Sequence, residues 1–105
     1  MQYEKYKNVL ASADRLEFRF DSIGPKGRIT KLVQFTEALN ENIYILAFGN
    51  MNKNGNIDEE IIRNNKDRNK ILATVASTIY EFTAHHPGKK ILFVVLRRNE
   101  TGFIV

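Results

Sequence analysis

The stretch DRNKILATVASTIYEFTAHH, residues 67–86, decides the fold. Ile71, Val75, Ile79 and Phe82 recur at steps of four, four and three, with Leu72 and Ala76 widening the same stripe. One side of a helix is therefore continuously apolar and must be buried. The run NNKD supplies Asn65 and Asp67 as candidate N-caps, and His86-Pro87-Gly88 ends the helix, because proline disfavours helical geometry in the residue before it. Most of the flanking sequence reads as strand. The expected fold class is α+β: a single twisted, mainly antiparallel sheet of four to six strands packed on one long helix over about residues 67–86.

Upstream, LEFRFD alternates, with Leu16, Phe18 and Phe20 facing one way and Glu17, Arg19 and Asp21 the other. SIGPKG then carries two glycines and a proline in one short stretch and reverses the chain into a second strand, RITKLVQF. Ile29, Val33 and Phe35 share a face with Lys31, and Arg28, Thr30, Leu32 and Gln34 occupy the other. IYILAF is apolar on both faces, as a central strand would be if the helix covered one side and a partner or the N-terminal arm the other. After the helix, ILFVVL is a second such run, followed by Arg97-Arg98, the turn NETG with Gly102, and FIV as the returning arm of a hairpin. The expected organisation is one domain over residues 1–105, with 1–14 an N-terminal arm and 50–66 a long polar loop holding a short strand or helical turn near Ile57 to Ile62.

The chain has no cysteine and two histidines, which excludes disulfides and thiolate chemistry and argues against most transition-metal sites. A reducing compartment, the cytoplasm, is expected. The N-terminus lacks the apolar core of a signal peptide, and no run approaches the ~20 apolar residues of a membrane helix. Net charge is +4. Residues 1–40 carry seven Lys/Arg against five acids, residues 41–66 three against four, and residues 67–105 six against three, so an anion-binding face is expected from the first strands and the last one.

NMNKNGNIDEEI, residues 50–61, places Asn50, Asn52, Asn54 and Gly55 at the spacing of an EF-hand loop, but Ile61 stands where a bidentate glutamate should close the shell. A glycine-containing turn is the better account, and no metal or cofactor is expected. His85-His86 at a helix C-terminus fits the helix dipole better than a metal site. With Arg97 or Arg98, either histidine could serve a metal-independent ribonuclease. No G-x-G-x-x-G, P-loop or serine nucleophile elbow is present, and no catalytic residue is assigned.

Taken together, F-x-F-D-S-x-G-P-K-G at Phe18 to Gly27, the strand with Lys31 and Phe35, YILAFGN at Tyr44 to Asn50, and ILATVASTIYEFTAHHP at Ile71 to Pro87 resemble a family of small uncharacterised proteins, mostly from Bacteroidota. The resemblance covers about Tyr3 to Phe93 and brings no established activity. Members of that family usually continue with an Arg-x-Arg-x-x-Tyr-like tail where this chain reads VVLRRNETGFIV. In topology, the F-R-F-D strand, Gly27-Arg28 with Lys31, and the single helix are also similar to the Pur-alpha, PC4 and Whirly group of single-stranded nucleic-acid-binding domains. That resemblance implies a homodimer with a basic, partly aromatic outer sheet surface, on which bases stack while cations neutralise phosphates.

The leading expectation is thus a non-enzymatic module binding single-stranded nucleic acid or acting in regulation, with Arg19, Lys26, Arg28 and Lys31 on phosphates and Tyr44 as the stacking aromatic. The alternative is a protein-interaction module, such as one half of a toxin/antitoxin-like two-gene system, burying Ile43 to Phe48 and Ile91 to Leu96 against a partner. No membrane partner is expected.

Overall fold

The structure, a computed structural model, describes residues 4–38, 40, 42–58, 66–93, 95–96 and 103–104. Its strands are β1 (Leu10–Ala11), β2 (Glu17–Gly24), β3 (Gly27–Glu37), β4 (Ile43–Met51), β5 (Ile57–Asp58), β6 (Lys90–Phe93), β7 (Val95–Leu96) and β8 (Phe103–Ile104), and its helix is α1 (Arg68–His85). The α+β plan expected from the sequence is observed. Six strands form one open sheet in the order β1-β2-β3-β4-β5, with β6 also paired to β4. Neighbours are antiparallel except β4 and β6, which run parallel with Tyr44 opposite Ile91 and Leu46 opposite Phe93. Since β3 takes one edge of β4, β5 and β6 share the other, β5 at Asn50 and Met51 and β6 at Ile43 to Leu46. The returning C-terminal arm pairs as expected, β7 with β8, Val95 opposite Ile104. The turn residues Arg97 to Gly102 and the candidate cap Asn65 lie outside the described residues.

Strand alternation sets the core. Phe18 and Phe20 of β2, Ile29, Val33 and Phe35 of β3, and Tyr44 and Leu46 of β4 are all buried, as are Val75 and Phe82 of α1. Glu17, Arg19 and Arg28 point to the other face and are exposed. The two-residue turn between β2 and β3 places Pro25 where its fixed φ suits a turn, and Gly27 takes a φ of +86°, which favours glycine.

The helix stripe is rotated from the expected one. Ile71, Val75, Ile79 and Phe82 face the sheet, but Leu72 is 51% exposed and Ala76 is also on the outside. The stripe is widened on its other flank by Thr74 and Thr78, both fully buried. Their hydroxyls donate to the carbonyls of Lys70 (2.7 Å) and Val75 (2.7 Å), which satisfies the polar atoms and lets threonine serve in a core. Hydropathy alone ranks Leu72 above Thr74; helical geometry ranks them the other way.

One further expectation is corrected. Around Tyr6 the N-terminal arm lies on the inner face of the sheet instead of the outer one: the Tyr6 ring stacks on Phe20 at 5.7 Å and its N–H donates to Thr74 Oγ1, so this part of the arm shares that face with α1. Within the Asn-rich segment the glycine-containing turn and a short strand at Ile57 are observed, the latter as β5 paired to β4, and residues 59–65 lie outside the described residues. Asn52 closes the turn, its side-chain oxygen accepting the N–H groups of Asn54 (2.9 Å) and Asn56 (3.0 Å), while Asn50 is a buried strand residue bonded to the Lys31 ammonium. An ammonium thus sits where the first ligand of a calcium loop would have to face a cation.

Gly49 has a steric duty. A Cβ there would lie 2.6 Å from the Ile57 Cγ2 methyl, so the return of β5 over β4 requires a hydrogen at that position. Gly49→Ala is expected to cost about 1–3 kcal/mol in a urea titration, the range for overpacking. In an Ile57→Ala background the penalty should shrink; an undiminished cost would place its origin elsewhere.

Candidate functional site

The five residues expected to form one basic, aromatic surface divide between the two faces of the sheet. Arg19 and Arg28 are on the outer face and Lys26 is exposed in the β2–β3 turn. Lys31 and Tyr44 belong to the core, 6% and 8% exposed. Lys31 follows the alternation Ile29-Lys31-Val33 inward and donates to Asn50 Oδ1. Tyr44 packs edge-on to Phe82 at 5.1 Å. Neither reaches a phosphate or a base on the outer face. The strand pattern puts Lys31 among apolar neighbours, and only the resemblance argues for phosphate contact.

On the outer face the cations are balanced by acids. Arg28 pairs with Asp21 at 2.8 Å, and the same carboxylate accepts the Thr30 hydroxyl at 2.7 Å. That hydroxyl, followed by the Arg28 guanidinium, holds the Asp21 carboxyl below its ordinary value. A lowered folded-state value stabilises the fold above the unfolded carboxyl value and is lost as pH falls through the folded one. Thr30→Val is therefore expected to lower stability by a constant amount at neutral and alkaline pH and to flatten the acid limb below about pH 4, where the difference from the wild type fades. An unchanged acid limb in denaturant titrations would refute that role for Thr30.

Arg19 is different. It is exposed and makes no hydrogen bond or ion pair among the described residues, although its charge acts on Asp21. In register it lies between Leu10 of β1 and Leu32 of β3. A groove of about 220 Å³ runs beside it, lined by Leu10, Arg19, Asp21, Thr30 and Met51. Leu10 is 60% exposed and Ile23, further along β2, 58%. Leu32 is fully buried, so the apolar surface beside the open guanidinium is that of Leu10, and the pair can take a carboxylate with an apolar side chain next to it.

His86 is anchored at the end of α1. His86 Nε2 contacts the Asp14 carbonyl at 2.6 Å, its ring stacks on Phe82 at 4.9 Å, and its N–H closes the helix on the Phe82 carbonyl. Beside it, Arg15 pairs with Glu81 at 2.9 Å, so the turn before β2 is fastened to the end of α1 at two points. The carbonyl contact occupies one ring nitrogen of His86, and His85 is exposed. Arg97 and Arg98 lie outside the described residues.

Sequence reasoning missed a polar cluster at the other end of the helix. Asp67 is at the N-cap position but its side chain makes no capping bond. Instead its Oδ2 accepts the Tyr6 hydroxyl (2.5 Å) and the fully buried Ser22 hydroxyl (2.5 Å). The Tyr6 oxygen in turn accepts the Ile23 N–H at 2.9 Å. Burial first, and the Asp67 carboxylate second, push the Tyr6 phenol above its ordinary value. Ser22 on the inner face of an otherwise apolar strand was the available signal: a buried hydroxyl needs a partner.

Among the described residues no helix is long and apolar enough to cross a membrane. No curated protein and no solved structure matches the chain. Residues 2–101 match the family of unknown function DUF6934, and the chain belongs to that family.

Proposed function

We propose that the protein is a non-enzymatic binding module of the cytoplasm that recognises a partner protein through the outer groove at Arg19. The observation that carries this reading is an exposed arginine without an ion pair among the described residues, in a groove beside the exposed Leu10. Such a combination resembles the centre of a protein interface, where an anchoring arginine is surrounded by apolar contacts. A single-stranded nucleic acid is the weaker fit. It needs a continuous basic track, whereas Glu17 and Asp21 stand on the Arg19 face and Asp21 neutralises Arg28.

The test compares tagged wild-type protein with Arg19→Glu in a lysate of the native cell. One protein retained in stoichiometric amount by the wild type and lost from the variant is the expected result. The unfolding free energy should change by no more than about 0.5 kcal/mol, as for other surface substitutions. Equal retention by both proteins would remove the groove from consideration. Anisotropy with labelled single-stranded DNA and RNA at low salt should show no binding; affinity that falls with salt would restore the nucleic-acid reading.

A further inference from the structure

Residues 4–9 belong to no strand or helix, yet Tyr6 is held by more contacts than a loose arm needs. Its ring lies between Phe20, stacked at 5.7 Å, and the Lys70 ammonium, 4.4 Å from the centroid. The hydroxyl donates to Asp67 and accepts from the Ile23 N–H. Its backbone N–H donates to Thr74 Oγ1 at 2.8 Å, and two residues earlier Glu4 pairs with Lys70 at 3.6 Å. Every element of this seat comes from β2, the helix N-cap or α1. It therefore recognises four features of a bound segment: a phenol, an aromatic ring, a backbone N–H and an acid two positions before the tyrosine.

We propose that this seat is a docking site for an extended segment of a partner protein carrying Glu-x-Tyr, and that the N-terminal arm fills it in cis. Charge complementarity selects the occupant: Lys70 both covers the ring and meets the acid. A second observation points the same way. Asp67 Oδ1 is buried and has no hydrogen-bond partner among the described residues, so the carboxylate keeps acceptor capacity that the arm leaves unused. The site is separate from the groove at Arg19. A tethered occupant competes at an effective concentration in the millimolar range, so a segment in trans gains access only when the arm leaves.

The probe is a fluorescently labelled hexapeptide, Glu-Lys-Tyr-Lys-Asn-Val, the sequence of residues 4–9. It is titrated by anisotropy into the full-length wild type and into Tyr6→Ala. The variant should bind it at least about tenfold more tightly than the wild type, whose arm competes. The same peptide with phenylalanine for tyrosine should lose that binding, because the bond to Asp67 is gone. If Tyr6→Ala does not fold, Glu4→Arg serves, since Glu4 is largely exposed and its change loosens the arm without touching the core. The tyrosine peptide must then bind that variant more tightly than the wild type. No saturable binding to a folded variant at millimolar peptide, or equal binding by variant and wild type, overturns the proposal.

Discussion

Replacing Phe82 with alanine is expected to lower the unfolding free energy by about 3–5 kcal/mol, the range for deleting a buried aromatic side chain. Phe82 is 0% exposed and is the point where helix and sheet meet. Its ring stacks on Phe35 of β3 at 4.2 Å, meets Tyr44 of β4 edge-on at 5.1 Å and carries His86 at 4.9 Å. Truncation leaves an aromatic-sized cavity, and the three rings around it cannot all collapse into one space. Small domains have only about 5–15 kcal/mol in total, so the variant should be partly unfolded near 37 °C. The control is Leu72→Ala on the same helix, at an exposed position and expected to cost less than about 1 kcal/mol. Urea titrations followed by circular dichroism compare the two; similar midpoints would mean that α1 is oriented differently on the sheet.

The second large effect is expected at Asp67. Alanine there removes the acceptor of two hydrogen bonds at once and leaves the Ser22 hydroxyl, which is fully buried, without that partner. Hydrogen bonds to a charged group contribute roughly 1.5–3 kcal/mol each, and the two share one carboxylate, so a loss of about 3 kcal/mol is expected. Asp67→Ser separates the possible causes. Serine is a good N-cap but too short to reach both Tyr6 and Ser22. Stability restored by serine would make Asp67 an ordinary cap; a loss close to that of alanine makes it the joint between arm, sheet and helix. Tyr6→Phe combined with Asp67→Ala should cost less than the sum of the two, because they remove the same bond.

These two positions also show what the sequence could reveal. Phe82 was legible, since its place at the end of a four-four-three series marks a buried helical position whatever the rest of the chain does. The β2–β3 hairpin was legible for the same reason, period-two alternation on both sides of a proline-glycine turn. Asp67 was legible only as a cap, because capping is a local rule, whereas its real partners lie 61 and 45 residues away. Thr74 and Thr78 were missed because a hydropathy pattern ignores a hydroxyl that is satisfied by its own helix. The outer surface was over-read for a similar reason. Arg28 and Lys31 are cations in any sequence count, but one is neutralised across the hairpin and the other points inward. Arg19 stands apart because neither happens to it.

The parallel pairing of β6 with β4 bears on how the chain reaches this structure. The β2–β3–β4 meander closes through short turns, so its contacts form early and at little entropic cost. Ile43 and Lys90, by contrast, are 47 positions apart, and their pairing must wait until the intervening chain, helix included, has been laid across the sheet. High sequence separation of this kind slows folding. Docking of β6 is thus expected as the late, rate-limiting step, and a chain emerging from the ribosome holds an ordered meander with one bare edge until its last quarter arrives.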